Sequence, residues 1–97
     1  MLVKLTEVCT QGTYTTSQSN YALREIFVNP EHVVMIREES HMGRINSQTS
    51  LVEGLDTGHS FSKLTLDKRQ GGDVIVVGSP SAIREVLNKS RKQLLRG

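Results

Sequence analysis

The chain has 97 residues, a length that fits one domain with a core only a few side chains deep. Hydrophobic residues make up 36% and aromatic residues 4%, so the ordered part is expected to be smaller than the whole chain. The net charge of +2 is uneven: Ser79 to Gly97 carries five basic residues and one acidic residue, and the remainder carries seven and nine. We predict a single domain over residues 1–97 with a mildly acidic body and a basic C-terminal end.

Cys9 is the one cysteine of the chain, so no intrachain disulfide can form and a reducing compartment is expected. The N-terminus enters an alternating pattern and lacks the long apolar region of a signal peptide. No uninterrupted apolar run is longer than Val74–Val77, far short of the ~20 residues that a membrane-spanning helix needs. We therefore expect a soluble protein of the cytoplasm with no membrane span.

The first segment, "MLVKLTEV", alternates with a period of two residues. Val3 and Leu5 share one face and Lys4 and Thr6 the other, which predicts a β-strand. The following residues, Cys9–Asn20, form a polar run with little to bury, so we predict a flexible loop at about 9–20.

The segment "REIFVNPEHVVMIREE" predicts two strands joined at a corner. Asn29-Pro30 ends the first strand, because proline fixes its own φ and disfavours the helical region for the residue before it. Val33–Ile36 is apolar on both faces, which is typical of a central strand that is covered on each side. We predict that these two strands form a hairpin at the core of the sheet.

Residues 40–60 form a second polar segment, too long for a hairpin turn, and we predict a flexible loop there. One helical turn is conceivable around Leu51, Val52 and Leu55. Two interpretations stand side by side: a tolerated insertion, or a loop whose apolar residues bind a partner or a second subunit. The residues of that candidate partner-binding loop are Met42, Ile45, Leu51, Val52 and Leu55.

A second hairpin is predicted from "FSKLTLDK", the glycine-containing turn "RQGG", and "DVIVV". The last of these is β-branched and apolar throughout, so it is a candidate central strand. From Ser79 onward the period changes to that of a helix, with Ser79 as the N-cap and Pro80 at the first helical position. The predicted fold is α+β: an antiparallel sheet of about five strands with two hairpins and one C-terminal helix packed on one face.

This frame resembles the FlbD-like family of very short proteins associated with bacterial flagella and swarming motility. The resemblance covers Leu2–Val8, Glu25–Glu39 and Phe61–Lys89, and its sharpest point is "VNP" followed by an apolar strand. Small accessory proteins of tailed bacteriophages are similar in style, with a minimal sheet, polar loops and a basic terminal helix. The resemblance implies a non-enzymatic accessory protein and carries over no catalytic residue.

The basic helix has two interpretations. It could contact nucleic acid or an acidic partner through phosphate or carboxylate groups, or its charges could simply form a solvated face that complements the helix dipole. No aromatic residue lies among the basic ones to stack on bases. The candidate contact residues are Arg84, Lys89, Arg91, Lys92 and Arg96.

No motif of catalysis, metal binding or cofactor binding stands out. The three histidines, His32, His41 and His59, match no compact spacing of metal ligands. Cys9 would need a histidine brought to it by the fold to act as a nucleophile. The glycine before Ser79 lacks the further glycines and the lysine of a phosphate-binding loop. We expect no catalytic residue, no cofactor and no metal.

The leading expectation is a non-enzymatic accessory or regulatory protein that binds other proteins and self-associates as a homo-oligomer. An exposed edge in so small a sheet favours pairing with another chain. The alternative is a nucleic-acid-binding regulator, of bacterial or bacteriophage origin, that uses the basic helix. An enzyme would require Cys9 or a loop histidine to meet other polar groups in a pocket.

Overall fold

The structure is a computed structural model that describes residues 2–10, 21–48, 54–67 and 72–96, with the backbone alone for residue 10 and residues 90–96. In these ranges it contains five strands, two helices and a short 3₁₀ turn. In chain order they are β1 (Val3–Thr10), β2 (Tyr21–Val28), the 3₁₀ turn (Pro30–His32), β3 (Val33–Glu38), α1 (Ser40–Gln48), β4 (Phe61–Leu66), β5 (Asp73–Val77) and α2 (Pro80–Arg96). The predicted α+β class is confirmed.

The five strands form one antiparallel sheet in the order β2-β1-β5-β4-β3. β1 and β2 pair along their whole length, from Val3 opposite Val28 to Thr10 opposite Tyr21. β4 and β5 form the predicted hairpin, and β5 is central in the sheet, as predicted. The β1 strand therefore includes Cys9 and Thr10, which the sequence had assigned to a loop; residues 11–20 of that loop lie outside the described residues.

The predicted hairpin of β2 and β3 is wrong, and so is the central position of β3. These two strands are the opposite edges of the sheet. Between them, Asn29 closes the turn by accepting a hydrogen bond from the amide of Glu31 at 3.0 Å, and the chain enters the 3₁₀ turn. The Asn-Pro corner thus ends strand β2, as expected. The next strand, β3, does not pair with β2 but with β4 at the other edge of the sheet.

The short connection between the edges requires the sheet to curl. Only four residues separate Val28 on one edge from Val33 on the other. Five extended residue steps span at most about 18 Å. A flat sheet of five strands would separate its edge strands by about 19 Å. Since the 3₁₀ turn shortens the connection further, the two edges must approach each other at this end of the sheet.

Each face of the curled sheet carries its own apolar cluster, and each cluster is covered by one helix. On the α2 face, the buried residues are Val3, Leu5, Val28, Leu64, Val76, Ile83 and Leu87. On the α1 face, Val8 and Phe61 are buried, with Tyr21, Leu23, Met42, Ile45, Leu55, Ile75 and Val77 packed against them. Strand alternation produces this division, because neighbouring residues of a strand point to opposite faces.

Helix α1 corrects the prediction of a loop throughout residues 40–60. Its sequence is polar, and its apolar side chains Met42 and Ile45 are three positions apart, so they share one face. Asn46, fully buried, donates a hydrogen bond from Nδ2 to the carbonyl oxygen of Asp56 at 2.9 Å and ties the helix to the segment before β4. The helix is thus held by contacts that are distant in sequence.

Candidate functional site

The N-terminus of α2 is built by local backbone chemistry and positions the helix against the sheet. Gly78 has a φ of +129°, and a Cβ there would lie 2.9 Å from Cδ1 of Ile83, so only glycine fits without strain. Ser79 accepts a hydrogen bond at its Oγ from the amide of Ala82 at 3.2 Å, which confirms the predicted N-cap. The helix then begins at Pro80, as predicted.

Two contacts fix the orientation of this helix relative to the strands. The fully buried Ser62 of β4 donates from Oγ to the carbonyl oxygen of Gly78 at 2.7 Å. Ile83 and Leu87 insert into the cluster on the α2 face. Their insertion leaves Arg84 and Asn88 on an exposed side of α2 that lies beside strand β3.

Strand β3 exposes apolar side chains at the edge of the sheet. Val34 is 66% exposed and Met35 is 46% exposed, although the neighbouring Val33 and Ile36 pack onto the core of the α2 face. The pairing with β4 shifts between Val33 and Met35, so Val34 is the extra residue of a β-bulge. Pairing is regular from Met35 to Glu38.

A groove of about 300 Å³ runs between this edge and α2. Its lining residues are Pro30, Val33, Val34, Met35, Ile36, Arg84, Leu87 and Asn88. Arg84 is the charged residue of this lining, and no ion pair or hydrogen bond involves its side chain among the described residues. The groove therefore combines an open strand edge, an apolar floor and an unpaired guanidinium.

The C-terminal end of β3 carries negative charge, opposite in sign to the guanidinium of Arg84 in the groove. Glu38 is exposed and enters no ion pair with the described residues, whereas its neighbour Glu39 lies 3.8 Å from Nζ of Lys63. Ile36 and Glu38 stand opposite Leu64 and Ser62, which are both buried on the α2 face, so the side chain of Glu38 belongs to that same face.

The predicted basic residues are partly described. Arg84 and Lys89 are exposed on α2. Both line a shallow cavity with a volume of about 420 Å³, together with Ser81, Glu85 and Asn88. Arg91, Lys92 and Arg96 continue the backbone of α2, and their side chains lie outside the described residues.

The predicted partner-binding loop has a different environment from the one expected. Met42, Ile45 and Leu55 are half-buried and pack against the cluster of Val8 and Phe61 in their own chain. Leu51 and Val52 lie outside the described residues. Exposed apolar side chains occur instead at Val34 and Met35 of β3, a strand that the sequence predicts to be central, and also at Leu2, Phe27 and Val86. The signal at β3 was present in the sequence as a strand that is apolar on both faces.

The groups that could carry chemistry are dispersed. Cys9 donates from Sγ to the carbonyl oxygen of Ala22 at 3.4 Å, a contact inside the β1–β2 pair. His32 lies in the 3₁₀ turn, His41 in α1, and His59 before β4. No cluster of three or more His, Cys, Asp or Glu side chains suited to a metal ion occurs among the described residues.

A salt bridge marks the other edge of the sheet. The carboxylate of Glu7 accepts a hydrogen bond from Nε of Arg24 at 2.7 Å, and this bond together with the negative charge raises the pKa of Arg24 above its usual value. Lys4 and Glu25 form a second, exposed ion pair at 3.4 Å on the same two strands. Charged side chains thus occupy the surface of the β1–β2 pair.

Comparisons with protein-family models, with curated proteins and with solved structures find no match. The resemblance to the FlbD-like family therefore stays a prediction. Within the described parts of the chain, neither helix has the length and apolar character needed to span a membrane.

Proposed function

We propose that this chain is a small non-enzymatic accessory protein that binds other polypeptide chains, a second copy of itself among them, along the open β3 edge of its sheet. The cytoplasmic location expected from the sequence belongs to this proposal. One observation carries it: β3 has the composition of a central strand and occupies an edge.

The apolar composition of β3 has a physical consequence when the strand lies at an edge. An edge strand presents unpaired N–H and C=O groups along one side, and natural proteins usually protect such edges with charges, prolines or short length. On β3 the stretch from Val33 to Ile36 is uncharged, and two of its side chains are exposed. A further strand added to this edge would satisfy the backbone groups and cover Val34 and Met35, which would make β3 the central strand that its sequence describes.

Solution mass tests the proposal. We expect multi-angle light scattering over a range of concentrations to show reversible assembly of the wild-type chain. Val34→Lys should weaken that assembly by more than about tenfold, because the lysine must be desolvated or displaced when a second chain pairs there. The matched control is Phe27→Lys on the opposite edge strand, where the native side chain is 60% exposed.

The outcomes separate clearly. Assembly that is lost in Val34→Lys and kept in Phe27→Lys supports β3 as the binding edge. A wild-type chain that stays monomeric at every concentration contradicts self-association. Equal effects of the two variants would contradict the assignment to β3.

Nucleic-acid binding is the second candidate function, and the exposure of Arg84 and Lys89 on one concave surface of α2 favours it. Binding through phosphate contacts would appear as retention on DNA or RNA at low salt and release at high salt. The paired change of Arg91→Glu and Lys92→Glu should then abolish retention. Equal elution of this variant and of the wild type would remove the nucleic-acid hypothesis.

A further inference from the structure

The charges around β3 specify how a second copy would pair, if the proposed function is correct. Antiparallel pairing of two identical strands has a two-fold axis perpendicular to the sheet, so the interface is self-complementary. Residues that stand opposite each other then lie on the same face of the joined sheet. Because faces alternate along a strand, the axis must pass through a residue and cannot pass between two residues.

The backbone supports pairing at two positions in the regular part of β3. The amide of Glu39 donates to the carbonyl oxygen of Phe61 at 2.9 Å, so the backbone groups of Glu39 point toward β4. In an antiparallel ladder the direction alternates from residue to residue, which turns the N–H and C=O groups of Ile36 and Glu38 outward. These outward groups are the ones that a second strand can bind.

Side-chain charge selects among the possible axes. An axis at Arg37 or at Glu38 would place two identical charges directly opposite each other, which destabilises a sheet. An axis at Met35 would place Glu38 of the partner subunit opposite His32, which precedes β3, so this residue would have no strand to pair with. An axis at Ile36 places Met35 opposite Arg37, where the aliphatic part of the arginine can cover the exposed methionine.

The same axis brings the acidic end of one copy to the groove of the other. Glu38 of the partner subunit lies two residues from the axis on the same face as Ile36, the α2 face, and so falls beside the bulged Val34, which lines the groove together with Arg84. Glu38 and Arg84 are both exposed, and neither has an ionic partner among the described residues. We propose that two copies of this chain pair their β3 strands about a two-fold axis at Ile36, and that Glu38 of each copy forms an ion pair with Arg84 of the other.

The symmetry doubles the effect of each substitution, because every dimer contains two such ion pairs. Arg84→Glu places a carboxylate against Glu38 of the partner subunit twice, and Glu38→Arg places a guanidinium against Arg84 twice. The double variant Arg84→Glu with Glu38→Arg restores both pairs with the charges exchanged. Lys89→Glu is the matched control, since it makes the same charge change on the same helix outside the groove lining.

Sedimentation equilibrium of these variants tests the proposal. We expect each single charge reversal to raise the dimer dissociation constant by about tenfold or more, and the double variant to return it to within about threefold of the wild type. Circular dichroism checks that the exposed substitutions leave the fold intact.

Three results would overturn the pairing. They are single reversals with no more effect than Lys89→Glu, a double variant as weak as the single ones, and salt-independent dissociation of the wild type. The first two results with a wild-type dimer present would leave protein binding at β3 in place and reject this register. A wild-type chain without any dimer would reject the self-association on which the inference rests.

Discussion

The two edges of the sheet are built differently. β2 pairs with β1 over all eight of its residues, and it carries Arg24 and Glu25 in its middle, each in an ion pair with a β1 side chain. β3 begins with a bulge and has apolar side chains up to Ile36, with charges only at its end. One edge has the charged surface that discourages further pairing, and the other lacks it over most of its length.

The two edges also differ in what surrounds their exposed apolar side chains. At the β2 edge, the exposed Phe27 stands opposite Lys4, which pairs with Glu25, and Leu2 just before β1 is exposed as well. On β3, the same strand that anchors the core through Val33 and Ile36 also presents Val34 and Met35 to solvent. Surface apolar residues are ordinary when they occur singly, but a groove beside an open backbone edge is a surface suited to another chain.

The largest effect should come from the support beneath β3. Leu64 is fully buried and stands opposite Ile36 of β3 and Val74 of β5. We expect Leu64→Ala to lower the free energy of unfolding by about 3 kcal/mol, because it removes transfer energy and leaves a cavity. Urea denaturation provides the measurement. Phe27→Ala on the other edge is the control, and its free energy of unfolding should stay within about 0.5 kcal/mol of the wild-type value. Equal losses in both variants would mean that the packing beneath β3 contributes no more to stability than the exposed side chain of β2.

An intermediate effect should follow from removing the charges of β2. The double change Arg24→Val and Glu25→Val gives the middle of β2 the uncharged character of the Val33–Ile36 stretch of β3. We expect new species larger than the wild-type assembly, because both edges of the sheet can then pair. Dynamic light scattering would detect them. The charge-preserving variant Arg24→Lys with Glu25→Asp should behave as the wild type, and an unchanged size for the valine variant would show that charge is not what protects β2.

The smallest effect should come from the exposed ion pair between Lys4 and Glu25. Both side chains are more than half exposed, so Lys4→Ala should change the free energy of unfolding by about 0.5 kcal/mol or less. Thermal denaturation at low and high salt would measure it. A loss of several kcal/mol, as large as that in Leu64→Ala, would show that the charges of β2 hold the fold together.

Local patterns in the sequence predicted the elements of this fold better than their arrangement. Alternation predicted β1, β2 and β4, short apolar runs predicted β3 and β5, and Ser79-Pro80 predicted the start of α2, because these signals arise from neighbouring residues. Pairing partners depend on contacts distant along the chain. The Asn29-Pro30 corner predicts the end of a strand, but nothing in it says that the next strand joins the far edge.

Helix α1 and the exposed edge at β3 could not be predicted from the sequence for similar reasons. Helix α1 has a polar sequence with a stripe of two apolar residues, and its buried Asn46 is satisfied by the carbonyl of Asp56, a contact that no local pattern shows. The apolar run Val33–Ile36 was recognised, but its meaning depended on the position of β3 in the sheet. Once β3 is known to be an edge, the same run changes from a sign of burial to a sign of a binding surface.

Amide hydrogen exchange, measured residue by residue at several protein concentrations, directly tests whether a second chain pairs along β3. The outward amide protons of Ile36 and Glu38 should become more protected as concentration rises, while those of β2 that face away from β1 stay unprotected. Rapid exchange at Ile36 and Glu38 at every concentration, or protection that grows along β2 instead, would rule out β3 as the pairing edge.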